Sequence, residues 1–166
     1  EQTYVVDHGN GSLTVVDPGM ASPQEREAFQ RICDSLGAQP AQVLLTHGHL
    51  DHVMGCQWMK DTYGLLPRMH PLDEETYRRG PIAAQMYGVS MDPLPDVVMD
   101  LVPGEVIDCG QAQLEVRFVP GHAPGHAPCA YSGCQRSDDV APGAGFDRAD
   151  GTSFSGIDPR RKLDHR

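Results

Sequence analysis

Six consecutive residues constrain this chain more than any other stretch: His47-Gly48-His49-Leu50-Asp51-His52, preceded by Thr46 and by the apolar run Val43-Leu44-Leu45. The apolar run reads as a short buried strand, and the polar cluster must then open from its end. His47 and His49 are two apart, so in extended backbone both imidazoles point to one side. Asp51 and His52 come next, as the chain turns toward a helix, and face a second point close by. Imidazole nitrogen and carboxylate oxygen are the donors that zinc and related transition metals take up. Gly48 lets the backbone bend between the two histidines. A single histidine usually reads as a surface residue in a loop; His8 and His70 stand alone and are read that way, and His165 as solvated. Three within six residues behind an apolar strand read as a metal-binding cluster.

The surrounding pattern alternates strands with helices, which predicts an α/β fold with the cluster where a strand meets a helix. Thr3 to Val6 and Leu13 to Val16 read as two strands joined through Gly9-Asn10-Gly11, strong turn chemistry. Ser22, Pro23 and Glu25 form a helix-start signature. Ala28, Phe29, Ile32, Cys33 and Leu36 repeat at helical spacing until Gly37 stops the helix. Val53 to Tyr63 is a further helix, ended by Gly64. Leu65 to His70 reads as a strand, and Pro71 to Met86 as a helix or helix pair interrupted at Gly80-Pro81. Residues 88–104 form an irregular excursion. Glu105 to Ile107 and Leu114 to Val119 make a hairpin through Gly110 that runs into Pro120-Gly121-His122-Ala123-Pro124-Gly125-His126. Residues 127–166 offer no clear strand, with Arg160 to Leu163 the nearest approach to a helix.

A formal net charge of -10 argues against nucleic acid or an anionic membrane as partner, because phosphate contacts need basic patches. No apolar run reaches the roughly 18 residues of a membrane span, and nothing at the start reads as a signal peptide. The five cysteines, Cys33, Cys56, Cys109, Cys129 and Cys134, are too scattered for a disulfide framework and suit a reducing cytoplasm. A small-molecule substrate is the expected partner.

The pattern His-x-His-x-Asp-His over residues 47–52 resembles the signature of the metallo-β-lactamase superfamily. Val15-Val16-Asp17-Pro18-Gly19 resembles that family's early strand and acidic turn, and Val119-Pro120-Gly121-His122 its next histidine motif. The tract Gly121 to His126 most resembles glyoxalase II and small related bacterial hydrolases. The resemblance implies a four-layer αββα sandwich with its second half incomplete. Residues 1–126 would carry the metal motifs, and 127–166 would be a divergent or partly disordered remnant of the C-terminal half. It further implies that His47, His49 and His122 hold one metal, and that Asp51 and His52 hold a second. Asp17 would orient a ligand histidine from behind, and His126 matches a position that is not normally a ligand. An overlay puts Asp139 on the bridging ligand, with Arg148 and Asp150 on later motif positions. The leading segment Gly133 to Ser137 is more polar than that motif expects, and the family's last histidine finds no counterpart. Two Zn2+ ions are implied, with iron and manganese as alternatives. The implied activity is that of a hydroxyacylglutathione hydrolase-like enzyme, attacking a thioester or ester with zinc-bound hydroxide that Asp51 helps orient. The alternative reading is a catalytically inactive metal-binding portion of such a protein.

Overall fold

The computed structural model describes residues 2–133 and 155–157. Strand β1 (Tyr4–Asp7) pairs antiparallel with β2 (Ser12–Val16), Val5 opposite Val15. Between them Gly9 and Gly11 take φ of 73° and 88°, and Asn10 Oδ1 accepts from the Ser12 amide at 3.1 Å. Helix α1 (Pro23–Leu36) starts with the full capping box. Ser22 Oγ accepts from the Glu25 amide at 3.3 Å, and Glu25 Oε2 accepts from the Ser22 amide at 2.7 Å. Strand β3 (Gln39–Leu44) then lies parallel to β2, with Val43 beside Val15 and Leu44 beside Val16.

The remaining elements are α2 (Leu50–Val53), α3 (Cys56–Tyr63), β4 (Pro67–Arg68), a 3-10 turn (Pro71–Asp73), α4 (Glu74–Arg78), α5 (Gly80–Tyr87), β5 (Val106–Cys109), β6 (Ala112–Val116), β7 (Cys129–Gly133) and β8 (Ser155–Ile157). One sheet has the order β4-β3-β2-β1-β8 and the other β5-β6-β7. Period-two alternation along the first sheet distributes its side chains between two cores. Val5, Leu13, Val15 and Val43 pack on Phe29, Cys33 and Met59 from α1 and α3. Val6, Val16 and Leu44 face the other way, onto Ile107, Leu114 and Val116 of the second sheet. Burial on both faces makes consecutive positions apolar at Val5-Val6, Val15-Val16 and Val43-Leu44. Helices, first sheet and second sheet account for three layers of the expected αββα sandwich. None of the described cysteines forms a disulfide, and among the described residues no helix is long and apolar enough to cross a membrane.

Several elements differ from the sequence expectation. The helix expected over 53–63 begins earlier, at Leu50, and is broken at Met54-Gly55. There the Gly55 amide donates to Pro18 O at 2.7 Å, and a Cβ at 55 would stand 2.7 Å from that same oxygen. The turn after β2 therefore docks into the helix line, a tertiary contact that no helical periodicity reports. The strand expected over 65–70 shortens to β4, because Val98 rather than further sheet takes up the next pairing with Arg68. Strand β6 ends at Val116 rather than Val119, where the loop carrying His122 departs. The segment after His126, which has no strand signal of its own, supplies β7. Its Cys129 and Tyr131 pair with Val116 and Leu114, so the partner strand overrides weak local propensity. Strand β8 likewise exists through its parallel pairing with β1. Asp139, Arg148, Asp150 and His165 lie outside the described residues.

Phe29 is fully buried and meets Trp58 edge-on, with ring centroids 5.7 Å apart. Phe29→Ala is expected to cost about 3–5 kcal/mol of folding stability. Urea unfolding followed by the fluorescence of Trp58, the chain's single tryptophan, measures it. A loss under about 1 kcal/mol would mean that this core is not packed as described.

Candidate metal centre

The parallel pairing of β2 with β3 sets the ends of the two strands side by side and builds the site from there. The chain leaves β2 through Asp17, the one non-glycine residue among the described residues with positive φ, 53°. Aspartate tolerates this left-handed geometry better than most residues, and strained backbone of this kind concentrates at functional sites. The Asp17 carboxylate is buried, accepts from the Thr46 amide at 2.8 Å and accepts from Thr46 Oγ1 at 2.7 Å. Having donated its only proton to Asp17, the Thr46 hydroxyl can only accept from His47 Nδ1, 2.9 Å away. His47 is thereby fixed as the tautomer with its proton on Nδ1 and a lone pair on Nε2.

That lone pair meets two others. His47 Nε2 lies 3.1 Å from His122 Nε2, which lies 3.1 Å from His49 Nδ1. The ring of His122 stands 4.8 Å from that of His47 and 4.7 Å from that of His49, centroid to centroid. One nitrogen from each of the three residues falls within a 4.8 Å group. A tetrahedral ion with metal–nitrogen bonds of about 2.0–2.1 Å has ligand–ligand edges of roughly 3.3 Å. The donor set suits one divalent ion, and the two 3.1 Å spacings about His122 are close to such an edge.

His52 and Asp51 border this trio without entering it. The His52 ring is 4.0 Å from that of His47, its Nδ1 is 3.0 Å from Asp17 Oδ2, and its Nε2 is 3.6 Å from Asp51 Oδ2. Asp51 points outward, its side chain 62% exposed. Asp17 thus contacts both Thr46, the residue behind His47, and His52 itself. His126 stands 5.1 Å from His47 ring to ring, but its Nδ1 donates to Val119 O at 3.1 Å and it remains outside the nitrogen group. The two solitary histidines within the described residues are not the surface-loop histidines expected, because both are buried and hydrogen-bonded. His8 bonds Thr14 and Ser12, and His70 accepts from the Leu72 amide.

Burial, reinforced by His52 and His49, pushes His47 down to about 3. His49 is lowered as well, first by burial and then by His122, with the Asp73 and Asp51 carboxylates working in the opposite direction. His47 and His49 are thus favoured as neutral imidazoles, the form a metal requires.

Two features escaped sequence reasoning. Gly48 does not take a positive φ. Its role is close approach, since a Cβ there would stand 2.6 Å from the Tyr77 backbone nitrogen. Asp73, fully buried, accepts from the Gly48 amide at 2.6 Å and from the Gly125 amide at 3.1 Å. In the sequence it reads as an ordinary acidic residue opening a helix.

Comparison with known proteins gives the same answer as the geometry. The profile of the metallo-beta-lactamase superfamily matches residues 1–141. An uncharacterized protein of Mycobacterium tuberculosis is 35% identical over 129 residues, 74% of this chain and 56% of that one. The hydroxyacylglutathione hydrolase GloC of Haemophilus influenzae is 32% identical over 118 residues, 69% of this chain and 53% of that one. The chain thus spans about half the length of the curated relatives it matches. Among solved structures, TTHA1623 in a di-iron-bound form superposes with a TM-score of 0.66 at 30% identity, covering 77% of this chain and 60% of that one. The B3 metallo-beta-lactamase BLEG-1 superposes at 0.59 with 23% identity, covering 76% and 60%, a likeness of fold alone.

The lowered His47 value has a consequence for stability. Between the ordinary 6.5 and about 3, the unfolded chain binds a proton at residue 47 that the folded chain refuses. Stability of the metal-free chain is therefore present above pH 6.5 and lost as pH falls through this window. Urea unfolding at a series of pH values is expected to show a shallower acid loss in His47→Gln than in the unaltered chain. Equal slopes would contradict the assignment.

Proposed function

Because the chain belongs to the metallo-beta-lactamase superfamily, we propose that it is a metal-dependent hydrolase acting on a thioester or activated ester of the hydroxyacylglutathione type. The observation that carries this reading is the convergence of His47 Nε2, His49 Nδ1 and His122 Nε2 within 4.8 Å. Zinc is the proposed ion, since three imidazoles with one open position match its catalytic sites. Iron is the alternative, in view of the di-iron form of TTHA1623. When bound, such an ion polarises a carbonyl oxygen and brings the pKa of water down to about 7.

The chain's own residues supply the rest. Thr46 and Asp17 hold the His47 tautomer, and the neutral state of His47 and His49 leaves their lone pairs free. Asp51 is exposed beside His52, and its proposed part is to accept a hydrogen bond from an entering water and orient it toward the substrate carbonyl. Asp51 and His52 are the proposed ligands of a second ion beside the first. The likeness of Gly121 to His126 to glyoxalase II, together with 32% identity to GloC, supports the choice of thioester. The substrate is a small molecule, and the undivided cysteine set suits a reducing compartment such as the cytoplasm.

Thiol release from a hydroxyacylglutathione thioester, followed with and without added zinc, tests this. A zinc-dependent rate is expected, abolished when His47 and His49 are both replaced by alanine. A rate no greater than that of the double variant, at full zinc loading, would leave the chain a metal-binding protein without this activity.

A further inference from the structure

We infer that Asp73 is the positioning residue that sets the His47–His49 loop against the His122 loop, so that three imidazoles from two distant segments meet at one centre. The inference rests on the metal-binding reading above for its consequence, though not for its geometry. Asp73 closes the 3-10 turn Pro71–Asp73 and stands at the first position before α4, where an aspartate ordinarily caps its own helix. Its side chain makes no such cap bond. Instead Oδ2 accepts from the Gly48 amide, 25 positions back in the chain, and Oδ1 from the Gly125 amide, 52 positions ahead. Thr76 Oγ1 donates to Oδ1 at 3.2 Å. The carboxylate is wholly buried, and backbone N–H groups donating to a carboxylate are among the stronger hydrogen bonds a protein makes.

The placement of the two amides gives Asp73 its role. Gly48 sits between His47 and His49, and Gly125 lies three residues beyond His122. Neither residue is a donor to an ion, yet each moves with the histidines that are. Both are glycines for the same reason. A Cβ at 48 would come within 2.6 Å of the Tyr77 nitrogen, and a Cβ at 125 within 2.7 Å of the Asp73 nitrogen. The segment 73–77 is therefore a template on which both loops lie with no side chain between. A main-chain bond also joins the same pair of loops, from the Ala127 amide to Thr46 O at 2.8 Å.

Asp73→Asn tests the inference with little change of shape. The amide retains one acceptor oxygen and turns an NH2 donor toward the other loop's N–H, so one of the two bonds is lost. In the metal-free chain, the Gly48 or the Gly125 amide is expected to exchange with solvent at least about tenfold faster, while Val5 and Val15 in the sheet are unaffected. Zinc affinity, read by competition with a chromogenic chelator, is expected to fall about 10- to 100-fold. Thr76→Val, which leaves both loop amides their acceptor, is expected to hold zinc as the unaltered chain does. Unchanged exchange at both glycines and unchanged zinc affinity in Asp73→Asn would overturn the inference. Should that variant not fold, Gly125→Ala takes its place with the same expected loss of zinc affinity and the same contradicting result. If the unaltered chain takes up no zinc, the metal-binding reading fails, and the exchange of Gly48 and Gly125 still decides the role of Asp73.

Discussion

Lone pairs aimed at a common point repel one another until a cation lies among them. A protein that presents three imidazoles in this way must hold them there by other means. In this chain the nitrogens of His47, His49 and His122 stand in mutual reach although 73 to 75 positions separate His122 from the other two. Burial, with the neighbouring imidazoles, keeps His47 and His49 in the neutral form. Everything else about the site answers to this constraint. Parallel pairing of β2 with β3 sets Asp17 beside Thr46, Thr46 fixes the His47 tautomer, and a buried carboxylate grips both loops.

The division of labour between sheets and loops follows the same logic. Two apolar cores, one on each face of the first sheet, hold the strands, and the strands end where the chemistry begins. The polar contacts that orient the histidines come from Thr46 at the end of β3, from the strained turn after β2 and from a short 3-10 turn, none of them deep within a sheet. Loops carry function because a rigid scaffold positions them, and here the β2–β3 register is that scaffold.

Much of this was legible in the sequence. The hairpin through Gly9-Asn10-Gly11, the capping box at Ser22 and the stop at Gly37 each rest on local backbone chemistry, and local chemistry is written in adjacent residues. The convergence of residues 47, 49 and 122 was legible for a different reason: two motifs resembled those of one family. What could not be read depends on contacts between distant segments. The break at Gly55 answers to Pro18 O, strand β7 exists through β6, and Gly48 is shaped by Tyr77 rather than by its own φ. No local signal singles out Asp73, because its partners lie 25 and 52 positions away.

The central claim is that imidazoles from two separate stretches share one ion. A crystal of the chain grown with zinc and recorded at the zinc absorption edge tests it most directly. The account predicts an anomalous peak about 2.0–2.1 Å from His47 Nε2, His49 Nδ1 and His122 Nε2 together. A peak bound through residues 47–52 alone, with the His122 ring turned away, would contradict it.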